Sequence, residues 1–125
     1  MKRYLLDTSF LSALFNTNDS NHHEAFTISK DIPSSQIFIP SVVFAELMSF
    51  SKDKRRRDSN IEISLKMANS IPHLGESNLL EYIKFASNLS NTFTAMDSII
   101  LFLAKENNAE LVTFDKKLQN LYKKV

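Results

Sequence analysis

The chain has 125 residues, of which 43% are hydrophobic and 23% charged, with a net charge of +1. This length predicts one domain over residues 1–125, and the composition excludes a disordered polyelectrolyte. The absence of Cys excludes disulfides, thiolate metal ligands and a thiol nucleophile. Because no apolar run approaches the roughly 18 residues of a membrane span and no signal-like block opens the chain, we expect a soluble, cytoplasmic protein.

The first half of the chain predicts short apolar strands that alternate with helices. Residues 3–6 form the first strand, and Thr8 or Ser9 is predicted to cap the helix that follows it. Ser41 is the expected N-cap of a later helix. Periodicity and turn residues predict the other elements of this half: a helix over about 20–30, a strand over 37–39 and a helix over 42–50.

The second half begins with a highly charged block, SKDKRRRDSN at 51–60, which predicts a solvent-facing loop or a frayed helix end. The stretch IPHLGE at 71–76 can hold a short strand. The remaining predicted elements are helices over about 61–70, 79–86 and 94–108, a strand over 110–114 and a final helix from about 116. Asn107 or Asn108 is expected to take a left-handed backbone conformation after the third of these helices.

Short apolar strands separated by helices predict an α/β protein, a three-layer α/β/α sandwich with a mainly parallel central sheet. Functional sites in such sheets form at the carboxyl ends of the strands. Asp7 directly follows the first strand, and Asp115 follows the strand LVTF in the same way. These two carboxylates are therefore expected at one edge of one sheet.

Two further acids, Glu46 and Asp97, interrupt apolar helical faces. Taken singly, each acid has an ordinary structural explanation: a helix cap, a favourable place at a helix N-terminus or a distant ion pair. Taken together they share a feature, since none has a basic residue in the same apolar run. Carboxylates gathered in a cleft repel one another, and a bound Mg²⁺ or Mn²⁺ would relieve that repulsion.

The segments YLLDTSFL, PSVVFAEL and TAMDSIILFLAKENNAELVTFDKKL, in this order, resemble the PIN-domain ribonucleases. The resemblance covers essentially the whole chain and is closest to the VapC-type toxins of prokaryotic toxin–antitoxin pairs. It implies an endoribonuclease that hydrolyses RNA phosphodiester bonds with Mg²⁺ or Mn²⁺. It also implies an antitoxin protein and a homodimer as partners, with the antitoxin in an apolar groove near the helices over residues 42–70.

The resemblance also assigns roles to individual residues. The implied catalytic metal ligands are Asp7, Glu46, Asp97 and Asp115. The hydroxyls that match positions flanking these acids, and would support them, are those of Thr8, Ser9 and Thr113. Lys116 and Lys117 lie beside the last acid, where they can contact RNA phosphates.

Several alternatives stay open. One is a degenerate PIN fold that binds RNA or protein without cutting, and another is an RNA-processing nuclease without an antitoxin. A phosphotransferase or a haloacid-dehalogenase-like hydrolase would require an Asp-x-Asp start, whereas this chain reads Asp-Thr-Ser at residues 7–9. His22 and His23 suit packing at a helix start better than metal binding. The basic run at 52–58 suits solvation, with phosphate contact or partner docking as its functional reading.

Overall fold

The computed structural model describes residues 1–50, 52–90 and 92–125. The strands are β1 (Arg3–Leu6), β2 (Ile37–Phe38) and β3 (Ala109–Val112). The α-helices are α1 (Thr8–Phe15), α2 (His22–Lys30), α3 (Ser41–Phe50), α4 (Lys54–Met67), α5 (Leu79–Ser87), α6 (Ala95–Glu106) and α7 (Lys116–Lys124), and a short 3₁₀ helix spans Ser34–Gln36.

The three strands form one parallel sheet in the order β2-β1-β3. The central strand β1 pairs Leu5 with Phe38 of β2, and Leu6 with Val112 of β3. Leu5 and Leu6 are almost fully buried, as expected for a strand covered on both faces. Parallel pairing brings the carboxyl ends of all three strands to one edge, which is the edge that positions the candidate site.

Helices cover this sheet in two groups. In one group α1 contacts α2 and α3, and α3 contacts α4; in the other α6 contacts β3, α5 and α7. This arrangement confirms the predicted α/β class and the parallel sheet. In the described parts of the chain, no helix combines the length and apolar character needed to cross a lipid bilayer.

Helix α6 follows the sequence pattern closely. Thr94 is its N-cap, and the Thr94 side chain accepts a hydrogen bond from the backbone N–H of Asp97. The helix buries five consecutive residues from Ile100 to Ala104 against the sheet and neighbouring helices. Asn108, just beyond the helix, has φ of 50°, which confirms the left-handed conformation predicted for this turn.

The structure corrects two elements of the middle region. Residues 54–60, expected as a loop or frayed end, form the first half of α4, whose N-cap Asp53 accepts hydrogen bonds from the N–H groups of Arg55 and Arg56. Ser51 lies outside the described residues. Residues 71–76 contain no strand; the neighbouring Ser70 forms only an isolated parallel bridge with Phe38.

Candidate active site

A cleft of about 230 Å³ opens at the carboxyl edge of the sheet. We call it the acidic cleft, because all four predicted acids line it. Its described lining consists of Asp7, Thr8, Ser9, Ser12, Glu46, Thr94, Met96, Asp97, Ile100, Asp115 and Leu118. This lining contains no Lys, Arg or His within the described part of the chain, so the carboxylates have no cationic side chain in the cleft to balance them.

Asp7 lies where β1 ends and α1 begins. Its backbone N–H donates to the carbonyl of Val112 in β3, which ties it to the sheet. Its carboxylate is the N-cap of α1 and accepts from the N–H of Phe10 at 3.0 Å. The cap is therefore Asp7, and the prediction of Thr8 or Ser9 is wrong by one or two positions; both are the first residues of the helix.

Two hydroxyl groups hold the Asp7 carboxylate from the side. Ser9 Oγ lies 2.9 Å from Oδ1 and 3.1 Å from Oδ2, and Thr113 Oγ1 donates to Oδ2. Each hydroxyl also accepts a backbone N–H, Ser9 from Phe114 and Thr113 from Asp115, both at 3.0 Å. One serine and one threonine thus connect β1, α1 and the segment after β3 through a single carboxylate.

The number of donors limits what else Asp7 can bind. The carboxylate receives three hydrogens, from Phe10, Ser9 and Thr113. Two carboxylate oxygens offer about four acceptor positions, so roughly one remains for a ligand. The fold therefore fixes the orientation of this carboxylate and leaves it able to make one more contact.

Burial dominates the electrostatics of Asp7, which is 4% exposed. Desolvation raises the pKa of its carboxyl above the ordinary value, and the negative charge of Asp115 raises it further. Hydrogen bonds from Thr113, Phe10 and Ser9 act in the opposite direction but do not overcome burial. A cation bound beside Asp7 would favour its ionised form.

Asp115 lies further from the strand than the sequence suggested. The predicted strand over 110–114 ends at Val112, because Val112 pairs with Leu6, the last residue of β1 before the cap of α1. Asp115 is instead the N-cap of α7, and its Oδ1 accepts from the N–H of Leu118 at 3.1 Å. It is exposed, yet it still lines the acidic cleft.

Glu46 and Asp97 approach the cleft from helices α3 and α6. Both side chains are half-buried. Thr8 Oγ1 donates a hydrogen bond to Glu46 Oε1. Within the described residues, the carboxylate of Asp97 accepts no hydrogen bond and forms no ion pair. Asp97 is therefore the acid of the cleft that the protein itself constrains least.

Other predicted residues lie away from the cleft. Lys116 and Lys117 are exposed in the first turn of α7 and do not belong to the cleft lining. His22 Nδ1 lies 2.9 Å from the carbonyl of Ala13, and its ring stacks on Phe26. His23 is exposed. The packing role expected for His22 agrees with these contacts.

Sequence reasoning missed two hydroxyl residues of the cleft, Ser12 and Thr94. Both had a detectable signal. Ser12 lies four residues after Thr8 and so shares its helical face. Thr94 stands three residues before Asp97, the spacing at which a Ser or Thr N-cap precedes an acid in the first helical turn.

The donor set suits a hard divalent cation such as Mg²⁺ or Mn²⁺, since it consists of carboxylate and hydroxyl oxygens. In the described residues, no three His, Cys, Asp or Glu side chains are close enough together to form a ready-made metal cage. Mg²⁺ usually takes one or two carboxylates and completes its shell with waters and substrate phosphates. The residues present fit that looser mode of binding.

The fold and the cleft define an α/β protein with a carboxylate-lined site at the edge of a parallel sheet. The chain belongs to the PIN domain family, whose sequence model matches residues 4–124. A comparison with curated protein sequences found no match.

Solved structures with similar folds include VapC20 of Mycobacterium tuberculosis, a sarcin–ricin loop cleaving toxin, with a TM-score of 0.77 at 17% identity. That match covers 94% of this chain and 93% of VapC20. VapBC2 of Rickettsia felis, solved bound to a promoter DNA fragment, gives 0.71 at 24% identity, covering 94% and 92% of the two chains. FitAcB of Neisseria gonorrhoeae gives 0.73 at 16% identity, covering 96% and 93%. At these identities the similarity establishes the shared fold.

Proposed function

We propose that this protein is a Mg²⁺- or Mn²⁺-dependent endoribonuclease that hydrolyses RNA phosphodiester bonds. The observation that carries the proposal is the gathering of Asp7, Glu46, Asp97 and Asp115 around one cleft that no described basic side chain lines. Membership of the PIN domain family supports the same chemistry. A purely structural explanation accounts for each acid separately but gives no reason for all four to line one cleft.

One or two of the four carboxylates would hold the divalent ion directly, and waters and substrate phosphates would complete its shell. Such an ion, when bound, supplies water activation and neutralises phosphate charge during in-line displacement. Asp7 would serve as the fixed ligand, because the fold sets its orientation and leaves about one acceptor position. Asp97 would offer both carboxylate oxygens, since no described residue donates to them.

The flanking hydroxyls would act by positioning these acids. Ser9 and Thr113 hold Asp7, and Thr8 holds Glu46, as outer hydrogen-bond partners do around metal ligands. Lys116 and Lys117, exposed beside Asp115, would contact phosphates of RNA outside the cleft.

We also propose that the protein is the toxin of a type II toxin–antitoxin pair and forms a homodimer. Similar folds occur in VapC20, described as a toxin, and in the VapBC2 and FitAcB structures. Among the described residues of the region proposed for the antitoxin, α3 and α4, the exposed large apolar side chains are those of Met48, Ile63 and Leu65. A small open reading frame directly upstream would support the pairing, and a strictly monomeric protein in light scattering at micromolar concentration would contradict the dimer.

The nuclease proposal is tested by incubating purified protein with single-stranded RNA in Mg²⁺, in Mn²⁺ and in EDTA. We expect cleavage with either metal and none in EDTA. Asp97→Asn should lower cleavage by more than about 100-fold, the upper end of the loss seen for outer partners of metal ligands, and should stay folded.

The matched control is Asp31→Asn, which makes the same change at an exposed acid outside the cleft. It should cleave like the wild type. Wild-type-like cleavage by folded Asp97→Asn would refute the assigned site. RNA binding without cleavage in either metal would favour the non-cutting alternative.

A further inference from the structure

A second cleft of about 210 Å³ lies beside the acidic cleft and is not part of the catalytic site proposed above. We call it the arginine pocket. Its described lining consists of Ser12, Phe15, Asn16, Leu47, Arg56, Arg57 and Asn60. Ser12 lines both clefts, so the two share a wall formed by α1.

The two clefts have opposite charge. The lining of the arginine pocket includes two arginines and, within the described residues, no acid. Arg57 Nε pairs with Asp58 at 3.3 Å, whereas the Arg56 side chain forms no hydrogen bond or ion pair with any described residue. A guanidinium without a carboxylate partner at the wall of a pocket is available to an anion, and its planar fork matches phosphate oxygens.

The first turn of α4 places Arg56 and Arg57 at the pocket. Asp53 caps the helix and fixes the backbone N–H of Arg56. Arg56, Arg57 and Asn60 then share one helical face, because residues three and four apart are neighbours. Arg55 lies on a different face, where a separate surface depression is lined by Lys54, Arg55, Asp58, Ser59 and Glu62. The basic run thus divides into a pocket-facing part and a solvated part.

The remaining residues of the arginine pocket can contact the base of a nucleotide whose phosphate meets the arginines. Phe15 is half-buried and offers an aromatic surface, and Leu47 adds an apolar one. Asn16 and Asn60 supply amides that can bond a base edge. Aromatic stacking with amide contacts and arginine–phosphate pairs is how proteins recognise unpaired RNA bases.

We infer that the arginine pocket binds a nucleotide of single-stranded RNA next to the one whose phosphate enters the acidic cleft. The inference rests on the proposed nuclease function and names how its substrate is held. RNA is favoured over an acidic protein segment by the wall shared with the acidic cleft, since one continuous strand can occupy both clefts, with its phosphates alternating with bases.

The test measures RNA binding separately from cleavage. Fluorescence anisotropy would follow a labelled single-stranded RNA of about 12 nucleotides with full-length protein in the Asp97→Asn background, over a series of salt concentrations. The variants are Arg56→Gln and Arg57→Gln, with Arg55→Gln as the matched control of equal charge change on the neighbouring helical position.

We expect Arg56→Gln and Arg57→Gln each to weaken binding by about fivefold or more, and to reduce the salt slope by about 0.7 for each lost phosphate contact. Arg55→Gln should change binding by less than about twofold. Phe15→Leu, if its melting temperature stays near the parent value, should weaken binding to single-stranded RNA more than to duplex RNA, where bases cannot splay out to stack.

Equal losses for all three arginine variants would show only general charge attraction and would overturn the inference. Unchanged RNA binding by Arg56→Gln and Arg57→Gln would also overturn the inference. This holds even if the two variants lose binding to an acidic protein partner, because the pocket would then bind protein and not RNA. The two proposals can fail separately. If the arginine variants weaken RNA binding but the wild-type protein does not cleave RNA, the nuclease proposal is refuted. If the wild-type protein cleaves RNA and neither Arg56→Gln nor Arg57→Gln changes that cleavage, the pocket inference is refuted.

Discussion

The two sides of the acidic cleft are built differently. On the strand side, Asp7 is buried and receives three hydrogens, two of them from Ser9 and Thr113. On the helix side, Glu46 receives one hydrogen bond from Thr8, and the Asp97 carboxylate receives none from any described residue. The fold itself positions the strand-side acid, while a ligand is left to position the helix-side acid.

Because of this difference, substitutions on the two sides of the cleft should affect folding and chemistry to different extents. Asp7 caps α1 and joins two strands, so a substitution there changes folding and chemistry together. Asp97 has no partner to lose within the described residues, so a substitution there mainly removes a charge. Asp97 is therefore the better position for testing chemistry, and Asp7 the better one for testing how the site is built.

The comparison of the two sides of the cleft predicts its largest effect, a loss of RNA cleavage, when the hydroxyls that hold Asp7 on the strand side are removed. Ser9→Ala and Thr113→Val should each lower RNA cleavage by about 10- to 100-fold, because outer partners orient metal ligands. Thr113→Ser keeps the hydroxyl and should retain most activity. Thr113→Val keeps the methyl group and removes only the hydroxyl, so wild-type-like cleavage by this variant would show that the hydrogen bond to Asp7 does not orient the acid.

A smaller effect is expected on the pH dependence of the free energy of unfolding, because burial raises the pKa of Asp7. The folded state then holds this proton more tightly than the unfolded state. The contribution of Asp7 to the free energy of unfolding is therefore fully present below about pH 4, the ordinary Asp pKa, and is lost as pH rises through the raised folded-state pKa.

Asp7→Asn removes this titration and provides the comparison. In EDTA, the stability of the wild type minus that of Asp7→Asn should fall as pH rises through this window, as measured by urea unfolding. Other carboxylates titrate in both proteins and cancel in the difference. A difference that grows with pH would show that the hydrogen bonds to Asp7 outweigh its burial.

The smallest effect is expected at the histidines. His22→Ala removes a contact with Ala13 and stacking on Phe26, so it should lower the melting temperature slightly. His23→Ala changes an exposed side chain. Cleavage per folded molecule should stay near wild type in both variants, and a loss comparable to that of Asp97→Asn would place a histidine in the chemistry.

The parts of the fold that the sequence predicted well are those where local pattern and burial agree. The strand before Asp7 and helix α6 have apolar residues at the spacing their environment requires, and Asn108 takes the predicted left-handed turn. Only the second half of helix α4 was predicted, because its first half is polar all round and offers no apolar period. Its signal was the cap, Asp53 before a run of good helix formers.

Other features depend on contacts that only the fold creates. The last strand ends at Val112 because its partner strand ends at Leu6, a residue far away in the sequence. Met48 has the helical spacing of a core residue but is 47% exposed, since α3 turns that face to solvent. The pairing of Thr8 with Glu46 and the joining of α1, α3 and α4 around the arginine pocket are likewise tertiary.

The central claim, that the four acids gather in the folded state to hold a divalent cation, is tested most directly by thermal melts. Wild type and Asp97→Asn would be melted in EDTA and in Mg²⁺. Folding without metal brings like charges together, so Asp97→Asn in EDTA should melt above the wild type. Mg²⁺ at 100 times its Kd would stabilise the wild type by about 2.7 kcal/mol, a rise of roughly 10 °C, and the variant by less.

The opposite result has a clear physical meaning. If Asp97 served only the N-terminus of α6, a contribution of about 0.3–1 kcal/mol, its replacement by Asn would lower the melting temperature slightly in EDTA. Mg²⁺ would then raise both proteins equally or not at all. Lower melting of Asp97→Asn in EDTA together with an equal response to Mg²⁺ would contradict the acidic-cluster account.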